Sequence, residues 1–153
     1  IFLVSFVLIF SQQHPTHESP LMKLAVVING SPTASQAANT ALRYIEAAIA
    51  LGHQVPRVFF YGESVYTANS LTTPPQDESN LTRRWQRLAQ QHSMELIVCI
   101  AAAVRRGVMD SREAKRHEHP GGNLAEGFEL SGLGQLIDAT LHADRVITFG
   151  GQQ

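Results

Sequence analysis

The chain has 153 residues, 44% hydrophobic and 16% charged, with a formal net charge of −1. That is enough chain for one globular domain with a sizeable core, and the near-neutral balance argues against a basic nucleic-acid footprint as the main function. A single cysteine, Cys99, excludes an internal disulfide, a dithiol redox pair and a zinc site built on several cysteines, and it fits a reducing cytoplasm.

Residues 1–10 (IFLVSFVLIF) are apolar throughout, yet shorter than the roughly 20 residues a membrane span needs. No basic stretch precedes them and no small-x-small cleavage site follows. Met22 stands directly before a strand pattern. The reading favoured is that residues 1–21 are an N-terminal extension outside the domain, an upstream remnant rather than a targeting signal, and that the domain runs from 22 to 153. No membrane association is expected.

Residues 23–29 (KLAVVIN) are a short apolar run closed by Gly30-Ser-Pro, which predicts a buried strand and a turn. A helix capped by Ser35 follows, with Ala38, Leu42, Ile45 and Ile49 on its apolar face and Gly52 at its end. Residues 55–61 (VPRVFFY) predict a second strand, with Pro56 suited to an edge or a first position. Residues 62–69 have the makings of a short helical turn, and 72–79 are a loop by composition. Ser79 or Asn80 then caps a helix whose inner stripe is Leu81, Trp85 and Leu88. Arg83, Arg84 and Arg87 read as its solvated face.

Leu96, Ile97 and Val98 form a third apolar strand ending at Cys99, and Ala101, Ala102 and Ala103 open a short helix that Gly107 ends. Asp110-Ser-Arg-Glu113 looks like a capping box for another helical stretch to about His117. His117, Glu118 and His119 invite a metal reading, but alternate residues at a loop edge rarely converge on one ion and no distant third ligand is evident, so no metal is expected. Phe128 to Gly134 predicts a short strand and a tight turn. Leu133, Leu136, Ile137 and Leu141 are expected to face inward on the last helix, and residues 144–149 form the final strand. Strands alternating with helices imply an α/β fold: one domain, a mostly parallel sheet of about five strands, and helices on both faces.

The carboxyl edge of such a sheet is where ligands and chemistry collect. Cys99 falls there, at the start of a helix whose free N–H groups favour a thiolate, with Arg105 and Arg106 about a turn away as candidate cations. Two readings stand side by side: a nucleophilic cysteine, or a small buried hydrophobe. The loops Asn29 to Thr33 and Ser131 to Gly134 are expected beside it. The Gly30-Ser-Pro turn has some capacity to bind phosphate through backbone N–H groups, though it matches neither common phosphate-loop pattern.

From Met22 to Phe149 the chain resembles the TusD-type, DsrE-like subunits of bacterial sulfur-relay complexes. The resemblance rests on three stretches: 58–69 (VFFYGESVYTAN), 99–108 (CIAAAVRRGV) and 128–134 (FELSGLG). It implies a DsrE-like fold and a sulfurtransferase in which Cys99 accepts sulfur as a persulfide. It implies a TusA-like donor, a TusE-like acceptor and 2-thiouridine in the tRNA wobble base as the end of the route, with no direct chemistry on tRNA by this chain. It further implies assembly with TusB-like and TusC-like subunits as a dimer of heterotrimers, and no cofactor. Two other classes remain open: a flavodoxin-like FMN- or nucleotide-binding domain using Gly30-Ser-Pro, and a non-catalytic structural subunit of a hetero-oligomer.

Overall fold

Five parallel strands form one sheet in the order β4-β3-β2-β1-β5. The computed structural model describes residues 20–150, so the expected extension at 1–21 falls almost wholly outside the described residues. Along the chain the elements are β1 (Lys23–Asn29), α1 (Ala37–Ala50), β2 (Gln54–Tyr61), a 3-10 turn (Gly62–Ala68), α2 (Leu81–His92), β3 (Glu95–Cys99), α3 (Ile100–Arg105), α4 (Ser111–Arg116), β4 (Phe128–Ser131), α5 (Gly134–His142) and β5 (Arg145–Phe149).

The order fixes the layers. Each step from β1 to β4 moves one place in the same direction, so right-handed crossovers put α1 to α4 on one face. The return from β4 to β5 crosses the sheet the other way and puts α5 on the opposite face. Side chains agree with this. Ile28, Phe60 and Phe149 are register partners and share a face. There Phe60 meets Trp85 of α2 edge-on at 5.3 Å, and Phe149 lies 5.4 Å from Tyr44 of α1. Arg57, on the other face, donates through Nη1 to Asp138 and to the Gln135 carbonyl of α5, both at 3.2 Å. Its guanidinium also pairs with Glu95 on β3, and this hydrogen bond above all holds the Arg57 pKa above its ordinary value.

The core lies mainly under α1 and α2. Trp85, Phe59 and Phe60 are its largest fully buried side chains, and each such burial stabilises the fold by about 2–3 kcal/mol. Local signals for element ends hold well. The Asn80 side chain accepts from Arg83 N–H at 3.0 Å and the Asp110 side chain from Glu113 N–H at 2.7 Å. Gly52 takes the left-handed conformation at φ 89° just past α1. At the start of α1 the N-cap is Gln36 rather than Ser35, although Ser35 Oγ still accepts from Ala37 N–H at 3.3 Å.

Two expectations are corrected. Pro56 does not sit at an edge or at the first position of a strand: β2 is the middle strand of the sheet. The β1–β2 register slips between Lys23 and Ala25, opposite residues 54–57, and this irregularity spares the proline a ladder hydrogen bond. The last helix does not turn its apolar stripe inward. Leu136 packs partly against the core, but Leu133, Ile137 and Leu141 are 50%, 60% and 76% exposed and no residue of α5 is buried. Periodicity finds an apolar face without saying what covers it.

Candidate active site

Cys99 ends β3 and is the N-cap residue of α3, with extended backbone at φ −60° and ψ 113°. Its position follows from sequence: the apolar run 96–98 makes a strand buried on both faces, and the alanines beyond it accept a helix with no bulky side chain in the way. The cysteine is buried, 3% exposed.

The register shows its neighbours. Ser131, the last residue of β4, is the direct partner of Cys99. On the other side Phe60 pairs with Val98, which brings Tyr61, the last residue of β2, next to Cys99. Side chains alternate along each strand, so Cys99 shares a face with Glu95 and Ile97, Tyr61 with Arg57 and Phe59, and Ser131 with Glu129. Tyr61, Cys99 and Ser131 therefore form a row at the carboxyl edge, on the face that α5 covers. The chain is turned sharply after Tyr61. Gly62 has φ 59°, and Asn29 Oδ1 occupies the place a Cβ would need. The buried Ser64 hydroxyl is shared between the carbonyls of Ile28 at 2.6 Å and Tyr61 at 2.7 Å, which pins this end of β2 to β1. The 3-10 turn then packs on β3 and α3.

The structure separates the two loops expected beside the cysteine. Ser131 to Gly134 lies there. Asn29 to Thr33 follows β1 and is held away from Cys99 by β2. That second loop borders a cleft with Glu63 and Phe149 at the ends of β1 and β5. Three amides downstream of Ser31 are engaged internally: Ser31 Oγ takes the N–H groups of Thr33 and Ala34 at 3.3 Å, and the Ser31 carbonyl takes Ser35 N–H at 3.0 Å. Those donors are spent within the loop, and the Glu63 carboxylate beside it disfavours an anion.

Neither expected cation is bonded to the thiol. Arg106 Nη1 donates to the Ala102 carbonyl of its own helix at 3.2 Å, and Arg105 is exposed at the helix end. His117 lies 3.7 Å from the buried carboxylate of Glu113, with Arg116 at 3.5 Å from the same oxygen. Sequence reasoning missed Tyr61 as a neighbour of Cys99, because adjacency of strand ends depends on strand order, which a linear pattern does not contain.

The fold is thus a five-stranded parallel α/β sheet with the chain's one thiol, Cys99, at its carboxyl edge. A model of the DsrE/DsrF-like family matches residues 22–149. Sulfurtransferase TusD of Salmonella enteritidis and of Salmonella gallinarum is 48% identical over 128 residues, covering 84% of this chain and 100% of the relative. A putative sulfurtransferase DsrE of Allochromatium vinosum is 44% identical over 129 residues, covering 84% of this chain and 99% of its own length. The crystal structure of the ychN protein from E. coli superposes with a TM-score of 0.64 at 21% identity, covering 84% of this chain and all of that one. The chain belongs to the DsrE/DsrF-like family and is one of its sulfurtransferases. Among the described residues, no helix is long and apolar enough to cross a membrane.

Proposed function

We propose that this chain carries sulfur as a persulfide on Cys99, within a domain spanning residues 22–153. The observation that supports the reading is the placement of the one thiol at the end of β3, on the sheet edge where a partner can approach. A TusA-like donor presents a persulfide, R–S–SH. The Cys99 thiolate attacks the outer sulfur, a new S–S bond forms on Cys99, the donor's S–S bond breaks and R–S⁻ leaves. A TusE-like thiolate then attacks the outer sulfur of Cys99-S-SH, and Cys99 returns as thiolate. Both steps are thiol exchange: sulfur moves, no external electrons are needed, and no metal or cofactor takes part. With no second cysteine in the chain, the persulfide is not lost to an internal disulfide.

The route ends in 2-thiolation of tRNA wobble uridine in the cytoplasm, with the RNA chemistry on another protein. The chain works in a hetero-oligomer with TusB-like and TusC-like subunits, arranged as a dimer of heterotrimers. The uncovered stripe Leu133, Ile137 and Leu141 supports an assembled state, since apolar residues grouped this way mark an interaction surface. The test is complementation: in cells lacking the native protein, wild type is expected to restore tRNA 2-thiouridine and Cys99→Ser to fail while still entering the complex. Full restoration by Cys99→Ser would leave a structural role in its place.

A further inference from the structure

The row at the carboxyl edge puts two hydroxyl-bearing side chains on either side of Cys99. Strands in a sheet lie about 4.8 Å apart, and registered residues present side chains on the same face. Ser131 is the register partner of Cys99 on one side, and Tyr61 adjoins it on the other. Among the described residues neither the Ser131 hydroxyl nor the Tyr61 hydroxyl has a hydrogen-bond partner. Tyr61 is 43% exposed and Ser131 half-buried, so both hydroxyls are open to the edge from which sulfur arrives. Neither is bonded to the Cys99 thiol itself. A persulfide extends one S–S bond further, about 2 Å, and its outer sulfur carries the negative charge once ionised.

We propose that Tyr61 and Ser131 are positioning residues for the transferred sulfur: their hydroxyls donate to the outer, anionic sulfur of Cys99-S-S⁻ and hold it at the sheet edge for the next thiol. The inference rests on the persulfide reading of Cys99 and adds the groups that stabilise the loaded state. Hydrogen bonds to a charged acceptor are about twice as strong as neutral ones. They act on the persulfide and not on the free thiol, so their loss shifts the loading equilibrium and the ionisation of the bound persulfide without unfolding the domain. Placement of the aromatic ring is kept in Tyr61→Phe, which removes only the hydroxyl.

The experiment loads wild type, Tyr61→Phe, Ser131→Ala and the double variant with glutathione persulfide at fixed glutathione, and reads Cys99 persulfide by intact mass from pH 5 to 9. Each single variant is expected to lower the loading equilibrium constant about tenfold. Each is also expected to move the pH midpoint of the bound persulfide upward, with alkylation of the unloaded thiol by iodoacetamide unchanged. Ser131→Thr, which keeps the hydroxyl, is expected to recover loading. Equal loading and an unchanged pH midpoint in the double variant, with wild-type unfolding behaviour, would overturn the proposal. Failure of wild type itself to take up sulfur, on repetition with its partner subunits, would strike the persulfide reading of Cys99 and this inference with it.

Discussion

Replacing Ile137 with glutamate separates folding from assembly. Ile137 lies on the outer stripe of α5 and is 60% exposed, between Leu133 at 50% and Leu141 at 76%. In the isolated chain the new carboxylate stays in water. Exposed substitutions of this kind change stability by no more than about 0.5 kcal/mol, and glutamate is the better helix former. In a complex that covers the stripe, the same carboxylate is buried without a partner at a cost of about 3–5 kcal/mol. At 1.4 kcal/mol per tenfold, that weakens association by roughly 10² to 4 × 10³-fold. The assay is size-exclusion chromatography with light scattering on chain co-expressed with the proposed TusB-like and TusC-like partners, alongside urea unfolding of the isolated variant. A wild-type unfolding midpoint and loss of the complex are expected. An intact complex would refute the use of this stripe. A collapsed midpoint would show that α5 packs inward after all.

Other residues carry sharp expectations. Phe60→Ala removes a fully buried ring that packs edge-on against Trp85 and lies 5.5 Å from Phe128. It is expected to cost about 3–5 kcal/mol, a large share of a marginal total, read as a steep fall in the thermal midpoint. Gly62→Ala places a Cβ against Asn29 Oδ1 at a backbone φ of 59°. A loss of about 1–3 kcal/mol is expected, together with slower sulfur uptake because Tyr61 immediately precedes it; an unchanged midpoint would contradict the tight approach. Asn80→Ala deletes the α2 cap, with an expected loss of about 1 kcal/mol by urea unfolding.

Much of the fold was legible in local pattern. The apolar runs at 24–28 and 96–98 have no amphipathic alternation, which is the mark of strands covered on both faces, and both are central or next to central in a parallel sheet. Caps are local chemistry, so sequence located Asp110 and narrowed the other to Ser79 or Asn80, of which Asn80 is the cap. What escaped was anything set by strand order. Pro56 reads as an edge residue because proline cannot donate to a ladder, yet an irregular register lets the middle strand hold it. The α5 stripe reads as core because periodicity is blind to what covers a helix.

The site divides in the same way. Cys99 was legible as a thiol at a strand-to-helix junction. The Ser131 to Gly134 loop lies beside it as expected, because β4 is the neighbour of β3. Asn29 to Thr33 does not, because β2 intervenes, and Tyr61 takes that place. The cations expected near the thiol lie where a six-residue helix carries them: Arg105 exposed as its last residue, and Arg106 just beyond, folded back onto the carbonyl of Ala102.

Intact mass of the chain after incubation with a cysteine desulfurase, cysteine and a TusA-like carrier reads sulfur acceptance by Cys99 itself. A gain of one sulfur atom, reversed by reductant and absent in Cys99→Ser, is expected. No gain, either alone or with its partner subunits, would contradict it.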